Sequence, residues 1–303
     1  MRYFLISVVV LLFAACTGRQ QQQPAADSRT SQSAPRRMTV KEQIEHSRWH
    51  YWDQFDFSDT LFLKQADTMQ MLNAYVKYIE HLLVIDPLDA APLDSLMRKA
   101  SVSRPMLDYF AWLGSKVVHG DPDSPFRNDE FYIAILRSVL ASPYYDKYER
   151  IGPEYELKVV SQNRIGHKAN DFRYTLASGE TGTLYGLEAE YVLLFINNPG
   201  CPGCRQIRET ILASPMLTEM IERGRMKVLA LYPDEDLTEW RKYRAEIPQS
   251  WINAYDARCK IRKDDVYDLS SIPSLYLLDR DKRVLVKNLN NVPYIEEVID
   301  HAD

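Results

Sequence analysis

The stretch 191–204, YVLLFINNPGCPGC, decides the fold of this chain of 303 residues. Its first six residues, Tyr191–Ile196, are all apolar, which is typical of a strand buried on both faces of a sheet. Two cysteines, Cys201 and Cys204, follow this strand where a helix is expected to begin. A buried strand that leads directly into a helix indicates an α/β fold.

The cysteine pair predicts redox chemistry. Two cysteines separated by two residues at a helix start can form a disulfide within the first turn. Unpaired backbone N–H groups and the helix dipole stabilise a thiolate at the first position, Cys201. That thiolate attacks the disulfide of a partner protein, and Cys204 resolves the mixed disulfide. We therefore predict Cys201 as the nucleophile and Cys204 as the resolving thiol, with no cofactor beyond the disulfide that they form.

Two other interpretations of the pair stay open at this point, a static disulfide and half of a metal site. A zinc site needs two further ligands, and the chain offers only Cys259 and scattered histidines, without a second CxxC motif. His46 and His50 have a spacing that can hold a metal, but no third ligand is evident, so we expect them to face solvent. We predict no metal site.

Strand and helix patterns alternate after Gly166. The strand patterns lie at 171–176, 183–184, 191–196, 226–232, 251–255, 274–278 and 284–286. The helix patterns lie at 204–213, 214–224, 237–245 and 293–301, and the acidic run 234–236 reads as the N-terminal cap of the third. This order predicts an α/β fold with a mixed central sheet over 164–303.

The preceding region, 38–163, has a helical pattern throughout. An apolar stripe at 61–83 predicts one helix, and Pro87 and Pro92 are expected to break the chain after it. Further helices are predicted at 93–100, 106–118, 131–140 and 155–163. The sequence therefore predicts a small all-α domain of four to six helices in front of the α/β domain.

The N-terminus has the features of an export signal. Arg2 precedes the apolar run Phe4–Ala15, which is too short to span a hydrocarbon core of about 30 Å but suits a signal peptide. The run ends in Phe13-Ala14-Ala15-Cys16, which resembles the bacterial lipobox. We predict a signal peptide at 1–16 with lipidated Cys16 and a disordered tether at 17–37, rich in Gln, Ser, Ala and Pro. The alternative is an ordinary cleaved signal with a chance cysteine.

These features predict a protein of the cell envelope, lipid-anchored and facing the periplasm. That compartment is oxidising, so cysteines there are paired or used for chemistry. A net charge of −5 provides no basic field for nucleic acid, and we exclude that class of partner.

A second motif, Ser271-Ile272-Pro273-Ser274, directly precedes the predicted strand 274–278. With the CxxC pair and several residues upstream, it resembles the membrane-anchored, thioredoxin-like thiol-disulfide oxidoreductases of bacterial envelopes. The upstream residues that carry this resemblance are Gly166, Ala169, Asp171-Phe172, Leu176 and Gly179. The resemblance implies a cis peptide at Ile272–Pro273 opposite the CxxC pair, with the backbone of Ile272 binding the substrate strand.

The whole chain is also similar to lipoproteins that pair a thioredoxin-like domain with an N-terminal helical domain of unknown function. The segments that carry this second resemblance are YWDQFDFSDT (51–60), YGLEAEYVLLFINNPGCPGC (185–204) and LYPDEDLTEWRKY (231–243). This second resemblance implies a fold and redox chemistry but no named substrate. By analogy with the envelope oxidoreductases, we expect reduction of protein disulfides with electrons from a membrane donor. The rival hypothesis is a lipoprotein adaptor whose helical domain binds a partner and whose CxxC pair is only structural.

The chain departs from the family pattern at the motif itself. Pro199-Gly200 replaces the usual Trp before the first cysteine, and the central dipeptide is Pro202-Gly203 instead of Gly-Pro. Because that dipeptide tunes thiolate stability, the resemblance does not decide between reductant and oxidant. Peroxidase activity is not expected, since Leu194 and Asn198 occupy the positions of the Pro and Thr that a peroxiredoxin needs.

Two features remain outside this scheme. Cys259 precedes a predicted helix that leads to Ile272–Pro273, so it is either a third thiol near the active site or a small hydrophobe in the core. An aromatic cluster is expected to pack in the core or against the other domain, with a partner-binding surface as the alternative. Its members are Trp49, Tyr51, Trp52, Phe55 and Phe57.

Overall fold

The computed structural model describes residues 38–65, 67–121 and 124–302. The predicted signal peptide, the lipidated Cys16 and the tether at 17–37 lie outside the described residues. The described residues from 40 onward form one compact unit. Among the described residues, no helix combines the length and the hydrophobicity needed to cross a membrane.

Seven helices precede the first strand in the described part of the chain. They are α1 (Val40–His50), α2 (Phe62–Gln65), α3 (Thr68–Ile85), α4 (Ala91–Ala100), α5 (Arg104–Val118), α6 (Asp129–Ala141) and α7 (Ile151–Val160). The stripe at 61–83 does not form one helix. Asp67 interrupts it because its carboxylate accepts hydrogen bonds from the N–H groups of Met69 and Gln70 and so starts α3.

Two helices begin closer to the N-terminus than predicted, and each has a proline in its first turn. Pro92 does not break the chain but lies in the first turn of α4. Pro153 lies likewise in the first turn of α7, which begins four residues earlier than predicted. A proline fits there because the first N–H groups of a helix have no intrahelical partner and its fixed φ suits the turn.

The aromatic cluster packs around Phe110 of α5. The rings of Trp52, Phe55 and Phe57 have their centroids 5.2–5.3 Å from that of Phe110, mostly edge to face. This confirms the core interpretation for these three residues, and Tyr51 packs half-buried against the same core. The interpretation is wrong for Trp49, which is exposed on α1.

The remaining chain forms a seven-stranded sheet in the order β2-β1-β5-β4-β3-β6-β7. Its strands are β1 (Arg173–Leu176), β2 (Thr181–Thr183), β3 (Tyr191–Ile196), β4 (Met226–Tyr232), β5 (Ile252–Tyr255), β6 (Ser274–Leu278) and β7 (Val284–Val286). β4 is parallel to β3 and β5, whereas the other pairs are antiparallel. The predicted mixed α/β sheet is confirmed.

Helices and loops cover both faces of the sheet. The helices are α8 (Pro202–Ala213), α9 (Pro215–Glu222), α10 (Leu237–Tyr243), α11 (Lys260–Lys263) and α12 (Val292–Ala302), with a 3₁₀ turn at Arg244–Glu246. One apolar core joins α8, α9 and α12 to the sheet, and a second core on the opposite face includes Phe172, Tyr267 and Tyr276. All six residues of β3 are buried between them.

Polar contacts connect the helical region to the sheet region. Asn163 donates to the carbonyl of Val266 at 2.8 Å and accepts from the N–H of Asn170 at 2.7 Å. Lys287, just after β7, forms a salt bridge of 2.6 Å to Asp129 of α6. The division into two domains at 163/164 stays a prediction, because the described residues form one compact unit.

Candidate active site

Cys201 caps the N-terminus of α8 at the end of the central strand β3. Its backbone is extended, and its Sγ accepts a hydrogen bond from the N–H of Cys204 at 3.2 Å. Such a bond satisfies one of the free N–H groups of the first turn. Both residues carry free thiols in this structure.

The two thiols differ in their access to solvent. Cys201 is half-buried, whereas Cys204 is 4% exposed. Burial, followed by the hydrogen bond to Cys201, raises the pKa of the Cys204 thiol to about 12. The pair thus has an accessible sulfur that a partner can reach and a protonated, buried sulfur behind it.

The Ile272–Pro273 segment faces this pair. Its peptide bond is cis, and the Sγ of Cys201 lies 4.0 Å from the carbonyl oxygen of Ile272. Gly203 permits the approach, since a Cβ at this position would lie 3.3 Å from Cδ of Pro273. The structure therefore brings the four residues singled out from the sequence to one place.

A buried hydrogen-bond chain holds the residue after Pro273. The hydroxyl of Ser274 donates to Oδ1 of Asn288 at 2.7 Å, and Nδ2 of Asn288 donates to Asp268 at 2.9 Å. All three side chains are buried. Asn288 has a φ of 47°, a left-handed conformation that Asn tolerates better than most residues. Sequence analysis missed this support because the three residues are far apart along the chain.

A groove runs beside the cysteines on the side of α10. Trp240, Tyr243 and Ile247 contribute apolar surface, and Arg208 and Glu246 form a salt bridge of 3.0 Å at the same groove. The Oδ1 atom of Asn198 is buried at this groove without a partner among the described residues. The groove therefore combines apolar, charged and amide side chains next to the cysteine pair. No sequence pattern pointed to these residues beyond their nearness to the motif.

Cys259 lies outside this arrangement. It is buried at the start of α11 with a left-handed φ of 49°, and burial raises the pKa of its thiol. It does not line the groove at the cysteine pair. These observations fit the interpretation of Cys259 as a small hydrophobe.

The remaining polar motifs lie apart from the site. Asp236 caps α10 by accepting from the N–H groups of Thr238 and Glu239, as the acidic run predicted. His46 and His50 are exposed, with their rings stacked 4.2 Å apart. Within the described ranges, no group of three His, Cys, Asp or Glu side chains is placed to hold a metal ion.

Comparison with protein-family models identifies one family in the N-terminal part of the chain. A family model described as "Domain of unknown function (DUF5106)" matches residues 32–163. A search of curated protein sequences finds no significant match.

Similar solved structures cover either 91% or 46% of this chain. A thioredoxin-like protein from Bacteroides caccae is 38% identical, with a TM-score of 0.81, over 91% of this chain and 100% of its own. The C-terminal domain of an uncharacterized protein from Bacteroides fragilis is 46% identical over 46% of this chain and 98% of its own, with a TM-score of 0.44. The thioredoxin domain of a thiol-disulfide oxidoreductase from Bacteroides vulgatus is 19% identical over 46% of this chain and 99% of its own, with a TM-score of 0.40. The first likeness confirms the predicted thioredoxin-like fold.

Proposed function

The chain belongs to the thioredoxin-like proteins, and we propose that it is a thiol-disulfide oxidoreductase that reduces disulfides of envelope proteins through Cys201 and Cys204. The observation that carries this proposal is the asymmetry of the pair. Cys201 is accessible at a helix N-terminus, and Cys204 is buried one turn behind it. An attacking thiol needs access, whereas a resolving thiol only has to reach the first sulfur.

The reaction proceeds in two exchanges. The Cys201 thiolate attacks one sulfur of the substrate disulfide, a new S–S bond forms, and the other substrate sulfur leaves as a thiolate that takes up a proton. Cys204 then loses its proton and attacks the sulfur of Cys201, which releases the second substrate thiol. The substrate gains two electrons, and the pair ends as a Cys201–Cys204 disulfide. A membrane electron donor returns the pair to its dithiol state.

The Ile272–Pro273 segment and the groove supply the substrate contacts in this proposal. The carbonyl of Ile272, close to Sγ of Cys201, accepts an N–H from an extended substrate segment. Tyr243 and Ile247, half-buried beside the cysteines, are the apolar side chains next to which the residues flanking the substrate cysteine lie in this proposal.

We further propose that the protein acts at the periplasmic side of a membrane. The support comes from the sequence alone, where the apolar run Phe4–Ala15 ends at Cys16 in a lipobox-like motif. A lipid anchor at Cys16 would keep the redox pair close to its membrane electron donor.

Trapping of substrates in cells tests the proposal. Cys204→Ala removes the resolving thiol, so we expect mixed disulfides that join Cys201 to partner proteins and disappear on reduction. Cys201→Ala and the double variant provide the background, and Cys259→Ala, a buried thiol outside the site, is the matched control that should trap nothing. Absence of any adduct through Cys201 would favour the adaptor hypothesis, in which the pair is a structural disulfide.

A further inference from the structure

A second cavity lies between the helical region and the segment that follows α11. It has a volume of about 390 Å³ and is lined by α6 and α7 on one side and by residues 265–270 on the other. This volume falls in the range of about 300–1,000 Å³ that small-molecule sites occupy. None of the cysteines and neither Ile272 nor Pro273 lines it, so the proposed reaction does not use it.

Several charged groups of this cavity neutralise each other. Lys287 pairs with Asp129 at 2.6 Å and also donates to the carbonyl of Val160 at 2.8 Å. Asp265 pairs with Lys158 at 2.8 Å. Arg262 pairs with Asp234. These groups need no ligand.

One cationic side chain of the cavity has no such partner. Arg127 is half-buried, and among the described residues no carboxylate lies within 4.0 Å of its guanidinium. It stands near His119, whose Nδ1 atom is buried without a hydrogen-bond partner in the described part of the chain. Burial, followed by the charge of Arg127, lowers the pKa of His119, so that its ring is neutral at pH 7. Arg127 and His119 thus present unused hydrogen-bonding groups to the cavity.

Two carboxylates of the cavity have only neutral partners. Asp268 is 8% exposed and accepts from the amide of Asn288 and the N–H of Ser270, both at 2.9 Å. Glu156 accepts from the hydroxyl of Tyr132. Asp268 is the buried one of the two, whereas Glu156 is exposed. A buried carboxylate without a cation is costly, so Asp268 is the carboxylate that favours a cationic ligand group. Both carboxylates line the same cavity as Arg127 and His119, so the cationic and anionic groups share one space.

We propose that this cavity binds a small zwitterion with the chemistry of a free amino acid. Its carboxylate pairs with Arg127 and takes the buried Nδ1 of His119 as a second contact. Its ammonium pairs with Asp268 and Glu156. A ligand with a single charge leaves one of the two sets unpaired, which disfavours simple anions and simple amines.

Calorimetric titration of the full chain tests this site, with glycine, L-alanine and L-glutamine as probes and acetate and methylammonium as single-charge controls. We expect at least one amino acid to bind saturably with a Kd of about 1 mM or tighter, and acetate and methylammonium to bind at least about tenfold more weakly. The heat of binding involves no thiol exchange, so the result is independent of the proposed redox function.

Two variants and one control complete the experiment. Arg127→Gln removes the guanidinium, and Asp268→Asn removes the negative charge while keeping the side-chain shape; each should weaken amino-acid binding at least about tenfold. Arg223→Gln at the C-terminal end of α9, where Arg223 is 70% exposed and pairs with Glu219, should leave it unchanged. The proposal is overturned if none of the three amino acids binds, if acetate binds as tightly as they do, or if Arg127→Gln binds like the wild type.

Discussion

Cys201 and Cys204 are one helical turn apart, yet only Cys204 is enclosed by the core beneath α8. This enclosure keeps the resolving thiol protonated until a mixed disulfide forms next to it. The position of the pair could be predicted from the sequence, because a CxxC motif after a buried strand is a local pattern. The difference in burial could not, since it depends on β3, β6 and α12 packing around one of the two residues.

The raised pKa of Cys204 has a consequence for stability that can be measured on the reduced protein. Its pKa is about 12 in the folded state against an ordinary value of 9.0. Between these values the unfolded chain loses the proton while the folded chain keeps it, so stability is full below pH 9 and falls as the pH rises toward 12. Urea denaturation under reducing conditions should show a smaller loss over this range for Cys204→Ala. Equal slopes for the two proteins would contradict the assignment.

Gly203 keeps the space between the cysteines and Pro273 open. Gly203→Ala adds a Cβ at 3.3 Å from Pro273, and we expect disulfide reductase turnover to fall about tenfold as the Ile272–Pro273 segment moves away. Gly152→Ala is the matched control, since its Cβ in α7 would meet no atom within 4 Å apart from its chain neighbours. It should leave turnover unchanged. Unchanged turnover in Gly203→Ala would show that this spacing does not matter.

At the scale of elements, the strands built from apolar runs followed the sequence most closely. β3, β4, β6 and β7 have the predicted bounds, because apolar residues dominate these segments and are buried in the sheet. β2 begins two residues and ends one residue earlier than predicted, since its bounds are set by pairing with β1. The helix starts at Ala91 and Ile151 were missed because a first-turn proline looks like a break in the sequence.

The connection between β6 and the loop after β7 was not predictable from any local pattern. Asn288 bonds both Ser274 and Asp268, and it does so from a left-handed conformation. Asn288→Ala leaves two buried polar groups unpaired and strains the backbone, so we expect it to lower the free energy of unfolding by about 2–3 kcal/mol in urea denaturation.

Asn288→Gly separates the two causes. Glycine adopts a positive φ without strain, so this variant should lose the hydrogen bonds only and be less destabilised than Asn288→Ala. If both variants stay within about 0.5 kcal/mol of the wild type, the hydrogen-bond chain does not hold the Ile272–Pro273 segment in place.

At the scale of the whole molecule, the helical region and the sheet region are joined by buried polar contacts. The side chain of Lys287 is 5% exposed and pairs with Asp129 across this junction. Lys287→Met leaves Asp129 without its cation, and we expect a loss of about 3 kcal/mol in a single cooperative unfolding transition. Arg223→Met removes an exposed pair with Glu219 and should cost less than about 0.5 kcal/mol. Similar losses for the two variants, or two separate transitions, would show that the regions are only loosely coupled.

The central claim, that Cys201 and Cys204 form a working redox couple, is tested most directly by the reduction potential of this pair. The purified protein is equilibrated in graded dithiol buffers, and its free thiols are counted by alkylation, with Cys259→Ala to remove the third thiol. We expect a reversible two-electron couple near about −270 mV, as in a reductant. A pair that stays disulfide-bonded well below about −300 mV would be structural, and that result would contradict the proposed activity.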